Sequence, residues 1–175
     1  DTLGRGPGLT LSYGGFADPD GAYAMAPGVW DGDTLQPVNT AQIAEDARHA
    51  WLVDAGAAPH PSVGLTLPQM DKPDAYTWNK APRLDGRVLE TGAMARQLAD
   101  GQPLVRALWQ RTGGNVATRV LSRAIELARL VLLAERCLRA VVPDAPCAND
   151  AVLPDEADAF GLCEAARGSL GHWIS

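Results

Sequence analysis

Apolar and polar positions change period along this chain, and each change marks an element. In "GLTLSYGGF" the apolar side chains Leu9, Leu11 and Tyr13 fall on every second residue, and "GAYAMAPGVW" repeats the pattern at Tyr23 and Met25. Period two predicts strands, and the intervening "ADPDG" is a turn sequence. The stretch "NTAQIAEDARHAWL" at 39–52 changes to a helical period: Ile43, Ala47, Ala50 and Trp51 share one face, with Asn39 or Thr40 as cap. Residues 53–82 carry Pro59, Pro61, Pro68 and Pro73 and predict a long loop, a kind of segment that is seldom idle.

Beyond the loop, "RVLE" at 87–90 predicts a strand, and "GAMARQLADG" and "PLVRALWQR" predict two short helices separated by Gly101. The longest periodic run lies at 116–141. Its apolar residues Val120, Leu121, Ala124, Leu127, Ala128, Val131, Leu132 and Leu138 alternate with Arg and Glu, which predicts a core-facing helix ended by Pro143. An acidic, proline-containing loop, "DAPCANDAVLPDEADA", follows, and "FGLCEAARGSLGHWIS" returns to strand alternation through a central glycine. The fold class expected is α+β, a long core helix with shorter helices and short antiparallel strands or hairpins, in a single domain over 1–175.

Composition narrows the classes of function. With 46% hydrophobic and 21% charged residues the chain is globular. A net charge of −6 argues against nucleic acid as partner. The most apolar run, "LARLVLLAERCL", is interrupted by charges and predicts no membrane span, and no segment has a signal-peptide pattern. Three cysteines, Cys137, Cys147 and Cys163, are odd in number and form neither a CxxC pair nor a Cys/His cluster. They predict free thiols in a reducing compartment, the cytoplasm, and no metal site built by this chain alone.

Candidate chemistry lies in four segments taken as an ordered set: "LSYGGF", "DARHAWL", "YTWNKAPRLDGRVLETGAMAR" and "CEAARGSLGHWI". In this order they resemble the nickel-iron hydrogenase large subunit, with its LSYG-type segment, RHSW-type helix end, YSWxKAPRxxGxxxExGPLAR stretch and EAPRGALGHW strand pair. The residues without the resemblance stop at a mixed α+β domain. The resemblance implies the fold of part of a large subunit, with Arg167 over the bimetallic centre and Glu164 and Gly168 as its motif neighbours. An arginine suits that place because its planar five-donor fork can be aimed at a small acceptor such as a metal-bound cyanide. The alternative for Arg167 is an ion pair with an acidic group that pins two strands.

Other positions match the same segments. Lys80 and Arg83 fall on the KAPR portion, and their role stays open; Glu90, Gly92 and Arg96 fall on the ExGPLAR portion, where Arg96 is expected to face solvent. His49 and His172 match the RHSW and GHW portions and are expected to be structural, each beside an indole, and Tyr13 is expected in the core.

The match also breaks in informative places. The four metal-binding cysteines of the family, in RxCGxC and DPCxxCxxH motifs, have no counterpart here, and Ala93 and Ala166 stand where the family has proline. Losing a proline frees the backbone. The distance from the KAPR to the EAARG segment is short for a catalytic subunit. These departures resemble the HupK-type hydrogenase assembly factors, large-subunit-like proteins that support delivery of an iron-cyanide-carbonyl fragment. Two readings therefore stand: a scaffold in hydrogenase maturation, or the central fragment of a catalytic large subunit. A purely structural protein-binding domain is a third. Implied partners are hydrogenase maturation proteins or hydrogenase subunits, with a second copy on the open strand edges as a further option. The apolar ending leads to the expectation that the chain is part of a longer one.

Overall fold

Strands β1 (Thr10–Ala17) and β2 (Tyr23–Trp30) form an antiparallel hairpin in register Thr10↔Trp30 and Tyr13↔Pro27 in the computed structural model. It describes residues 3–17, 20–54, 56–146, 148, 152 and 154–174. Contacts divide the chain into two units, residues 1–38, 90–173 and 175 in the first and residues 39–89 and 174 in the second.

In the first unit β3 (Leu35–Gln36) extends the hairpin at β2. Three helices follow, α1 (Ala93–Ala99), α2 (Pro103–Thr112) and α3 (Val116–Ala140), then a second hairpin, β6 (Ala159–Glu164) and β7 (Ser169–Ile174). Local chemistry sets the helix ends. Gln102 accepts from the Leu104 and Val105 amides at 2.7 and 3.1 Å ahead of Pro103, and Asn115 accepts from Thr118 N at 3.0 Å. Arg106 donates Nε and Nη2 to the Leu98 carbonyl and so satisfies the C-terminus of α1, while its guanidinium lies 4.2 Å above the Trp30 ring. Trp30, Met94, Leu98, Val105 and Trp109 make the apolar core, with Ile125 of α3 against it.

Helix α3 has the predicted extent but not the predicted core face. Val120, Leu127, Val131, Leu132 and Leu138 are exposed, and the buried residues are Thr118, Ser122, Glu126 and Leu133. The physical reason is what α3 packs on. Helix α1 is buried at every residue, including Arg96 and Gln97, so the face of α3 turned to it must supply polar partners.

The second unit corrects two further expectations. The helix expected over 39–52 is a single 3-10 turn (Thr40–Gln42), capped by Asn39, followed by β4 (Ile43–Asp46), which pairs antiparallel with β5 (Ala81–Leu84). Asp46 then accepts from the Arg48 amide at 2.8 Å, a local side-chain bond that competes with helix. "RVLE" forms no strand: Arg87 bridges back to Leu84 across a turn, and Glu90 makes one isolated parallel bridge to Thr10 within the first unit. The long loop expected over 53–82 is present as far as residue 80 among the described residues, with a 3-10 turn at Pro61–Val63, and its last two residues belong to β5. Lys72 Nζ holds it by donating to the carbonyls of Ala47 and Leu52 at 2.6 and 2.8 Å.

Candidate functional site

The β6–β7 hairpin closes with two residues, Ala166 and Arg167, between the reciprocally bonded Ala165 and Gly168 (2.8 and 3.1 Å). Tight hairpins favour left-handed backbone at such positions, yet neither Ala166 nor Arg167 has positive φ. Outside contacts hold the turn instead. Gly92, at φ 105°, comes so close that an added Cβ would sit 2.9 Å from the Arg167 carbonyl oxygen. Gly168 rests on Thr91, whose Oγ1 would lie 2.3 Å from a Cβ there. Gly92 is required by its positive φ and close backbone approach, and Gly168 leaves room for the Thr91 side chain. The ExG and EAARG segments, far apart in sequence, therefore meet at this turn.

Beneath it lies Arg96, with no exposed side-chain surface. Its five N–H groups meet five acceptors. Nε and Nη2 donate to Glu126 Oε2 and Oε1 at 2.8 and 2.6 Å, Nη1 donates to Glu164 Oε2 and the Ala165 carbonyl at 2.8 Å each, and Nη2 reaches the Ala166 carbonyl at 3.3 Å. Burial pulls the Arg96 guanidinium down, but hydrogen bonds to Glu126 and Glu164 and their charges outweigh it and hold it above its ordinary value. Glu164, its side chain fully buried, also accepts from Ser169 Oγ at 2.6 Å and from the Tyr13 amide at 2.8 Å. Burial, with the Glu164 charge added, pushes the Tyr13 hydroxyl above its usual range; Tyr13 is half-buried rather than a core residue.

Arg167 itself is exposed and makes no hydrogen bond or ion pair among the described residues. The strand-pinning alternative for Arg167 therefore belongs to Arg96, and the expectation that Arg96 faces solvent is overturned. Sequence reasoning missed Arg96 and Glu126. The signals available were an arginine set among small and apolar neighbours in "AMARQLA", and the small polar stripe Thr118, Ser122, Glu126 along α3.

The remaining candidates lie apart from this cluster. Glu90 pairs with Arg119, which donates Nε and, at 2.8 Å, Nη2; His172 is exposed on β7. In the second unit Lys80 pairs with Glu45 at 2.8 Å, and Arg83 Nη1 donates to the Pro82 carbonyl at 2.8 Å. His49 stacks on Tyr76 with ring centroids 5.5 Å apart, beside a tilted Trp51–Trp78 pair.

The donor set among the described residues does not fit a nickel-iron centre. Cys137 on α3 and Cys163 on β6 are free thiols, Cys147 falls outside the described residues, and no group of three or more His, Cys, Asp or Glu among the described residues could hold a metal ion. No described helix is long and apolar enough to cross a membrane.

Comparison with known proteins places this geometry. The chain is 29% identical to the periplasmic [NiFeSe] hydrogenase large subunit of Desulfomicrobium baculatum, over 94% of its own length and 36% of that protein's. Identity and coverage are the same for the hydrogenase-1 large chain of Citrobacter freundii. The chain thus spans just over a third of these relatives. Its fold matches the reduced, active Ni-Fe-Se hydrogenase from Desulfomicrobium baculatum with a TM-score of 0.77 at 26% identity, over 98% of this chain and 39% of that one. The reduced Ni-Fe-Se hydrogenase from D. vulgaris Hildenborough matches at 0.76, over 99% and 40%. The family described as nickel-dependent hydrogenase matches residues 1–175, and the chain belongs to that family.

Proposed function

We propose that these residues are the framework of a nickel-iron hydrogenase large subunit, which presents the Arg167 guanidinium to the metal centre while thiolate ligands come from sequence outside residues 1–175. The activity would be reversible oxidation of H₂ to protons and electrons, with a hydrogenase small subunit as partner. One observation carries this reading: an exposed Arg167, without a partner among the described residues, stands on a turn whose carbonyls are held by the buried Arg96. A preorganised donor in that position can stabilise charge that develops on a bound group at no cost of reorganisation.

A second reading is a scaffold that supports delivery of an iron-cyanide-carbonyl fragment during maturation, with maturation proteins as partners. Ala93 and Ala166, where the resembled motifs have proline, favour it. Free Cys137 and Cys163 suit a reducing compartment, so we place either role in the cytoplasm.

The test uses the full-length protein purified from cells that contain the maturation machinery. Infrared bands of iron-bound CO and CN, together with H₂-dependent dye reduction, support the catalytic reading. Bands without H₂ oxidation, lost on incubation with a metal-free large subunit, support the scaffold. No bands at all overturns both.

A further inference from the structure

We infer that Arg96 is the positioning residue of Arg167, doing through hydrogen bonds what a proline at position 166 would do through ring closure. The inference rests on the reading above for its catalytic consequence, but its structural half stands independently. Ala166 and Arg167 lie outside the left-handed backbone region that tight two-residue turns prefer, so the turn needs support from elsewhere. Arg96 supplies it at two consecutive carbonyls, Ala165 and Ala166, directly before Arg167. Its own orientation is fixed from both sides, by bidentate pairing with Glu126 of α3 and by Glu164 at the end of β6. Glu126 is in turn held by Gln97 Nε2 at 3.1 Å.

No other basic residue can reproduce this arrangement. Five N–H groups in one plane serve two carboxylates and two carbonyls, whereas a lysine ammonium offers three donors from a single atom. Arg96→Lys therefore keeps the charge between Glu126 and Glu164 but must release at least one turn carbonyl. The proline alternative is open because the Ala166 amide donates no hydrogen bond among the described residues.

The experiment compares the full-length protein with Arg96→Lys, Ala166→Pro and the double variant. Amide hydrogen exchange is read at Ala165 and Gly168, and H₂-dependent dye reduction is resolved into kcat and KM. Arg96→Lys should speed exchange at both turn amides by about tenfold or more, with α2 amides unchanged, through loss of carbonyl bonds in the turn. It should lower kcat by about tenfold with KM little changed, because an orienting contact is lost. Ala166→Pro in the Arg96→Lys background should recover most of both effects. A turn as protected in Arg96→Lys as in the parent, or a double variant no better than Arg96→Lys, overturns the inference. Should Arg96→Lys not fold, Ala166→Pro alone decides: exchange at Gly168 within about twofold of the parent supports the inference, because Arg96 already holds the turn, and severalfold slower exchange overturns it. A parent protein without H₂ activity defeats the hydrogenase reading, while exchange and rescue still decide the role of Arg96.

Discussion

The two faces of α3 differ in what they meet and in what they say about sequence. One face carries Thr118, Ser122, Glu126 and Leu133, all buried against the rest of the first unit. The other carries Val120, Leu127, Val131 and Leu138, each more than 60% exposed. Within these residues the polar face, not the apolar one, determines where α3 sits. Buried carboxylates and hydroxyls cost energy unless each finds a partner, so a satisfied polar face fixes one register where an apolar stripe would tolerate several.

The largest effect should come from removing the charge that completes the buried face. Glu126→Ala leaves the Arg96 guanidinium without its bidentate partner and should cost about 3–5 kcal/mol, read as a fall in the urea midpoint. Next is the apolar member of the same face. Leu133→Ala should cost about 2–4 kcal/mol. A smaller, pH-dependent effect belongs to Tyr13. Its folded value is raised, so the stability it contributes is fully present below the unfolded value of about 10 and is lost as pH rises through the folded one. Tyr13→Phe should therefore flatten the alkaline end of a stability-versus-pH curve while leaving the neutral range unchanged. The smallest effect is expected on the outer face, where Leu127→Ala should change stability by no more than about 0.5 kcal/mol. If Leu127→Ala proved as costly as Leu133→Ala, the contrast between the faces would collapse.

These differences mark how far the sequence alone could be read. Elements set by neighbouring residues were legible: both hairpins, α1, α2 and the span of α3 follow from alternation, helical period and the punctuation of Gly101 and Pro143. The orientation of α3 was not, because the eye follows its apolar stripe while burial follows Thr118, Ser122 and Glu126. Residues 39–52 misled for a different reason. Their helical spacing is genuine, but β4 pairs with β5, about forty residues on, and periodicity carries no information about such a partner.

The candidate site divides in the same way. Glu164, Gly168 and Arg167 stand together in one motif, and Gly92 in another, so the sequence named them even though their contact is a matter of tertiary structure. Arg96 was misassigned because an arginine on a short helix is ordinarily a surface residue. Only the fold brings Glu126 and Glu164, thirty and sixty-eight positions away, to its guanidinium.

The proposed display of Arg167 on a held turn, for chemistry rather than for stability, is tested by Arg167→Lys in the full-length protein. H₂-dependent dye reduction should fall on the order of tenfold or more, since lysine keeps the charge and loses the planar fork, while the urea unfolding curve stays in place. A variant that unfolds at lower urea, or one that turns over H₂ at the parent rate, would rule out that role for Arg167.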